Sequence, residues 1–301
     1  MTQYSKISII IPNLHSPIIN QTLDSLLIQD TSIPFEIIIV GQDKYRIIEK
    51  VIDKRVKFIE TENPTPPALA RNLGVAASTG DYLVFIDSDC VAAENFLEMH
   101  LTANGGNDRK LVGGAVKIDS NENYWTLSDN IATFHEVLSH MPPGPRDILP
   151  SLNLSLSKSL WNQLGGFDPK YPKAAGEDAD FSFQAREKGS DVIFTPDAIV
   201  THLHKRDSLT SILKHAYNFG KYSIKINPKY KVDKSLPGVF IKHPWLIMVF
   251  SPLLACGVIM KIMCFEKLPF KYWHTLPVVK LAKIAWCFGA TKKLKKQQGE
   301  K

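Results

Sequence analysis

An open α/β fold with a Rossmann-like, mostly parallel sheet is predicted for most of this 301-residue chain, followed by a helical C-terminal extension. Three observations predict it. Short apolar runs alternate with helix-period segments through the first 120 residues, and strands that alternate with helices pair in parallel. A composition of 44% apolar and 22% charged residues belongs to a globular chain with ample sequence for a core. Net positive charge is confined to the end: residues 261–301 hold ten lysines, no arginine and two glutamates, which leaves −2 of the total +6 for residues 1–260. A nucleic-acid groove across the main domain is thereby excluded, and a clustered basic tail suits an anionic membrane surface.

The strands expected in order are 7–11, 35–40, 56–59, 81–86 and 111–118, each an apolar run of strand length. Helical patterns lie between them at 18–28, 45–52, 68–77 and 92–101. A further helix over 124–139 leads to the stiff loop Met141-Pro-Pro-Gly-Pro-Arg146, and a proline-dense loop inside a domain suits a lid or a binding loop. A strand at 152–157 and a short helix ending at Gly165-Gly166 follow, since paired glycines stop a helix. Gly176 opens a helix running to Gly189, and strands are expected at 192–194 and 198–200. No Gly-x-Gly-x-x-Gly follows the first strand and no Gly-x-x-x-x-Gly-Lys-Ser/Thr occurs, so the dinucleotide and P-loop readings lose support.

Asp87-Ser88-Asp89 stands where a buried strand runs out, and ligands of open α/β sheets bind beyond the carboxyl ends of strands. Two carboxylates one residue apart there attract a hard divalent cation, whose other positions phosphate oxygens fill. A solvated turn capping the next helix is the competing reading. Gly176-Glu177-Asp178 is a second acidic cluster in a first helical turn, where acids either complement the helix dipole or serve as a base.

Ile7–Pro12, Ala70-Arg71-Asn72-Leu73-Gly74, Gly80–Asp89, Gly165-Gly166-Phe167-Asp168, Gly176-Glu177-Asp178 and Thr201-His202-Leu203-His204 occur in this order, and with them the chain resembles the inverting glycosyltransferases of family 2 over roughly residues 5–225. The resemblance implies the A-type glycosyltransferase fold and transfer of a sugar from a nucleotide-diphosphate donor to an acceptor hydroxyl. It implies donor binding at Pro12, Asp43, Arg71, Asp87, Ser88 and Asp89. Asp87 and Asp89, with His202 or His204, would hold Mn2+ or Mg2+. Asp178 would be the general base, Glu177 would position acceptor or base, and Arg146 and Asn153 would complete an acceptor site. The chain departs from the family pattern at Val40-Gly41-Gln42-Asp43 and Asn13-Leu14-His15-Ser16. A sugar nucleotidyltransferase would need a Gly-rich basic loop after the first strand, which Pro12–Pro17 is not. A non-catalytic nucleotide-sugar-binding subunit of a membrane-associated assembly is the alternative from another class.

The expected division is a catalytic domain over 1–230 and a membrane-associating, Lys-rich region over 231–301. Residues 244–260 carry no charge but are interrupted by Pro252, and residues 272–290 mix Trp273 and Trp286 with Lys280 and Lys283. Peripheral, in-plane or hairpin attachment at the cytoplasmic face is expected, with a lipid-linked or cell-envelope saccharide as acceptor; a buried C-terminal helical subdomain is the competing reading, since apolar runs this short are often core helices. The N-terminal residues lack the features of a signal peptide. Cys90, Cys256, Cys264 and Cys287 form no Cys-x-x-Cys, and a reducing compartment is expected.

Overall fold

The computed structural model describes residues 4–119, 122–222 and 238–299. The chain divides into two compact units, Met1–Lys117 with Met141–Leu203, and Ile118–His140 with His204–Lys301. The boundary expected at residue 230 lies outside the described residues.

The first unit is built on one sheet in the order β3-β2-β1-β4-β8-β6-β9-β5. Its strands are β1 (Ile7–Leu14), β2 (Phe35–Gln42), β3 (Val56–Glu60), β4 (Tyr82–Ile86), β5 (Cys90–Ala92), β6 (Lys110–Lys117), β7 (Gly144–Pro145), β8 (Asn153–Ser157) and β9 (Asp191–His202). β1, β2, β3 and β4 run in parallel, β8 is antiparallel to both β4 and β6, and β9 is parallel to β6. The C-terminal ends of β1, β2, β4, β6 and β9 therefore share one edge of the sheet. Ile9, Ile10, Ile38, Ile39 and the whole of β4 are buried, which is why these segments read as continuous apolar runs rather than alternating ones.

Helices of this unit are α1 (Ile19–Leu27), α2 (Pro67–Ala76), α3 (Phe96–Asn104), α5 (Lys158–Leu164) and α6 (Glu177–Glu187). α2 starts with Pro67 in its first turn, where the missing N–H costs nothing. It lies close on the sheet: a Cβ at Gly74 would come within 2.5 Å of Ile10 Cγ2.

Three elements differ from expectation. The pattern at 45–52 forms only a 3-10 turn, Ile48–Lys50, because the Asp43 carboxylate accepts from the N–H groups of Tyr45 and Ile48 and closes the loop on itself. The helix expected from residue 92 begins at Phe96, since Cys90–Ala92 is drawn into the sheet against Val200–His202. The two strands expected at 192–194 and 198–200 are one strand, β9, whose register against β6 shifts between Gly113 and Ala115. The Pro-rich loop also joins the sheet, with Gly144 opposite Phe194.

The second unit is helical. Its elements are α4 (Tyr124–Phe134), α7 (Leu209–Tyr222), α8 (Gly238–Lys242), α9 (Trp245–Val249), α10 (Ser251–Met260) and α11 (Leu276–Gly299). The uncharged run is split into α9 and α10, with Pro252 in the first turn of α10. α7 and α11 cross at backbone distance. A Cβ at Gly220 would lie 2.0 Å from the Trp286 carbonyl oxygen, and one at Gly289 would lie 2.0 Å from the Tyr217 carbonyl oxygen. Ile247, Cys287, Ala290 and Leu294 form a buried cluster between α9 and α11. Among the described residues no helix is long and apolar enough to cross a membrane.

Candidate active site

The parallel strands bring the acidic segments together. β4 ends at Ile86, so Asp87-Ser88-Asp89 emerges at the sheet's carboxyl edge and turns back, with Cys90 N–H donating to the Asp87 carbonyl at 3.1 Å. β5 then pairs with β9, setting Cys90 opposite His202, while Leu203 N–H donates to the Asp89 carbonyl at 2.8 Å. That pairing leaves His202 Nε2 3.6 Å from Asp89 Oδ2. Gly41 makes the same edge possible at β1 and β2: its φ is +136°, and a Cβ there would sit 1.9 Å from the Asn13 carbonyl oxygen.

α6 (Glu177–Glu187) begins after Gly176 in left-handed conformation and carries Glu177 and Asp178 in its first turn. Arg71 on α2 joins this turn to the end of β4. Its Nη2 lies 2.6 Å from Asp87 Oδ1 and its Nη1 3.2 Å from Glu177 Oε1. The guanidinium expected at the donor diphosphate is 2% exposed and spans two carboxylates. Arg71 Nε and Glu177 Oε2 are buried with no hydrogen-bond partner among the described residues.

The clasp beneath this bridge explains two of the sequence segments. Asn72 Nδ2 donates to the Phe167 carbonyl at 2.8 Å, and Phe167 N–H donates to Asn72 Oδ1 at 3.0 Å. Phe167 in turn packs on Phe181 of α6 with ring centroids 4.6 Å apart and lies under the Arg71 guanidinium. The Gly-Gly-Phe segment thus fixes the helix that carries Glu177 and Asp178.

Burial raises the carboxyl pKa of both acids. For Glu177 the neighbouring Asp178 charge adds to burial, and together they outweigh Arg71. For Asp178 burial outweighs the N–H groups of Ala179 and Ser151 that hold its carboxylate. Asp178 is half-buried, whereas Glu177 is 3% exposed, so Asp178 is the more accessible of the two acids.

A divalent ion fits the donor set of Asp89 and His202. Two ligand atoms each about 2.1 Å from one ion can stand 3.6 Å apart, and carboxylate with imidazole is a borderline-hard pair. Cys90 offers its sulfur within the same cluster. Burial, with the Asp89 and Asp87 charges, pushes its thiol well up.

The other expected site residues are held by contacts of their own. Asp87 is held by Arg71. His204 belongs to the second unit, its Nε2 3.3 Å from Asp129 Oδ2. Asp129 of α4 also accepts from Arg206 Nε at 2.6 Å and His215 Nδ1 at 3.1 Å. Burial works to raise this carboxyl, but the His215 hydrogen bond and the surrounding positive charges outweigh it and hold it far below the usual range. Asp43 is spent on its own loop. Pro12 is half-buried in β1 opposite Val40, and Ser88 accepts from Ser16 Oγ through its carbonyl.

Asn153 and Arg146, expected at the acceptor, make their hydrogen bonds within the fold. Asn153 is buried behind β6 and β9, donating to the carbonyls of Ala115 and Ala198 and accepting at 2.8 Å from His100 Nε2. Both its amide hydrogens are used inside the sheet, where a Cβ at Gly114 would be 2.4 Å from its Oδ1. Arg146 lies over the Phe194 ring and donates to the carbonyls of Pro142 and Pro145, tying the Pro-rich loop to itself.

The sequence profile of Glycosyl transferase family 2 matches residues 8–161, a little over half of the chain. The chain belongs to glycosyl transferase family 2. Glycosyltransferase AglE of Haloferax volcanii is 27% identical over 184 residues, covering 61% of this chain and 58% of AglE. A pre-mycofactocin glycosyltransferase of Mycobacterium tuberculosis is 29% identical over 159 residues, 51% of this chain and 33% of that protein. The match thus spans less than two thirds of either relative. The structure of the mannosyltransferase PcManGT from Pyrobaculum calidifontis, solved with GDP-Man and Mn2+, superposes with a TM-score of 0.63 at 18% identity. The superposition covers 98% of this family 2 chain and 88% of PcManGT, and the likeness shows the mixed α/β fold.

Proposed function

We propose that this family 2 glycosyltransferase moves one sugar from a nucleotide-diphosphate donor to a hydroxyl of a lipid-linked or cell-envelope saccharide, with inversion. The observation that carries the reading is the Arg71 bridge, which draws the acids after β4 and the acids opening α6 to one place. Asp178 accepts the acceptor's proton: its raised carboxyl pKa makes it a stronger base than a solvated aspartate, and the N–H groups of Ala179 and Ser151 orient it. Glu177, locked on Arg71, holds the first turn of α6 in position beside it. Mn2+ or Mg2+ held by Asp89 and His202 would supply charge neutralisation to the departing diphosphate.

The names of relatives support sugar transfer, since AglE and the pre-mycofactocin enzyme are called glycosyltransferases. PcManGT in complex with GDP-Man and Mn2+ supports a metal-assisted nucleotide-sugar donor. The Lys-rich C-terminal region supports attachment to the cytoplasmic face of a membrane, and with it a lipid-linked acceptor.

A thermal-shift panel of Mn2+ with each nucleoside diphosphate tests the donor site, run beside Asp89→Ala and His202→Ala. A ligand at a hundredfold excess over Kd adds about 2.7 kcal/mol of apparent stability. One nucleotide should raise Tm in a metal-dependent way, and both variants should lose the shift. No shift with any nucleotide would overturn the donor site.

A further inference from the structure

Exposed large side chains of the second unit are concentrated between residues 245 and 273. In α10, Pro252, Leu253, Gly257 and Met260 are exposed, while Ala255 is buried. The single hydroxyl of that helix, Ser251, is buried and donates to the Met248 carbonyl at 2.8 Å. Beyond α10, Phe265 and Phe270 are 81% and 78% exposed, and Trp245, Phe250 and Trp273 also reach the surface. A helix that is apolar on its outer face as well as its inner one is covered by something other than water.

Charge decides what covers it. Residues 238–299 hold ten lysines, no arginine and a single acidic residue, Glu266. Glu266 is buried, accepting from His135 Nδ1 at 2.8 Å with Lys261 3.4 Å away. No exposed acid remains among these described residues to set against the lysines. Lys267 and Lys271 are exposed beside Phe265 and Phe270, so cations alternate with aromatic anchors along Phe265-Glu-Lys-Leu-Pro-Phe-Lys-Tyr-Trp273. That alternation suits the headgroup layer, where aromatic rings sink and lysine heads stay at the phosphates. α10 has ten residues, about 15 Å, half of what a hydrocarbon core of about 30 Å requires.

We propose that α10 and the segment after it, through Trp273, dock in the plane of an anionic bilayer. Leu253, Met260, Phe265 and Phe270 enter below the headgroups, and Lys267 and Lys271 meet lipid phosphates. This deepens the membrane-side part of the function proposed above and names the surface responsible.

The test is co-sedimentation of the full chain, without donor or metal, with phosphatidylcholine vesicles that contain or lack phosphatidylglycerol. Binding should require phosphatidylglycerol, weaken with salt and shift tryptophan emission to the blue. Phe265→Ser/Phe270→Ser should weaken binding on the order of tenfold at unchanged Tm, because both rings are already in solvent. Lys267→Glu/Lys271→Glu should abolish the preference for the anionic lipid. Wild-type affinity in the phenylalanine variant overturns the proposal. So does light scattering that shows a lipid-free dimer split by the same variant, since the patch is then covered by a second copy. Neither nucleotide nor turnover enters this assay, so its failure leaves the sugar-transfer reading intact, and failure of that reading leaves this one.

Discussion

Arg71 Nη1 lies 3.2 Å from Glu177 Oε1, and both side chains are sealed from water. Two buried charges so placed are worth little against a hydrophobic pair, but either one left alone is costly. Arg71→Met should cost about 3–5 kcal/mol in urea unfolding, because Glu177 is then buried without its cation. Arg71→Met/Glu177→Leu should recover most of that loss. Equal instability of the single and double variants would show that Arg71 acts through Asp87 instead.

Asp178→Asn should lower transfer by about 10²- to 10⁴-fold, the span of general-base catalysis, while leaving donor binding in the thermal-shift panel unchanged. A base works only when deprotonated, and burial raises this carboxyl. The rate should therefore fall on the acid side from a point above the ordinary aspartate range. An Asp178→Asn enzyme that keeps its rate would remove Asp178 from the mechanism.

His100 is a buried neutral imidazole whose tautomer follows from its neighbours. Asn153 gives both amide hydrogens to backbone carbonyls, so its Oδ1 must accept from His100 Nε2, and Ser155 Oγ then donates to Nδ1 at 2.7 Å. Burial lowers its pKa from 6.5 to about 4. Between these values the unfolded chain binds the extra proton, so stability falls as pH drops through the window, by about 3 kcal/mol in all. His100→Gln should flatten that part of the stability profile; an unchanged slope between pH 6.5 and 4 would place the acid sensitivity elsewhere.

Gly289→Ala sets two effects against each other. Alanine favours the helix by about 1 kcal/mol over glycine, but its Cβ would meet the Tyr217 carbonyl at 2.0 Å and Lys221 N at 2.9 Å. Both are backbone atoms that move only with α7, so overpacking should win, with a net loss of about 1–3 kcal/mol. Hydrogen exchange should report it in α7 and α11 rather than in the sheet. Stabilisation would mean that the helices separate freely.

The strands were legible because most are short runs sealed on both faces, and the acids after Ile86 stand out against such a run. Tertiary partners were not legible. His202 and His204 are two residues apart, a spacing that puts both on one face of any continuing strand. β9 stops at His202, so the second imidazole turns away to Asp129. Asn153 reads as a polar residue near an acceptor loop, and only the shift in register of β6 against β9 reveals why an amide is needed inside the sheet. Asp43 hides in the same way: its two bonds are to backbone N–H groups, which leave no trace in residue type.

The pairing of β5 with β9 has a kinetic consequence. Asp89 and His202 are more than a third of the chain apart, and a strand of three residues is what joins them. Contacts of such separation form late, after the entropy of closing the intervening loop has been overcome. A nascent chain carries its acidic triplet long before it has a cradle for an ion. In the reading proposed above, a copy that has not yet paired β5 with β9 lacks the Asp89–His202 pair and with it the candidate ion site.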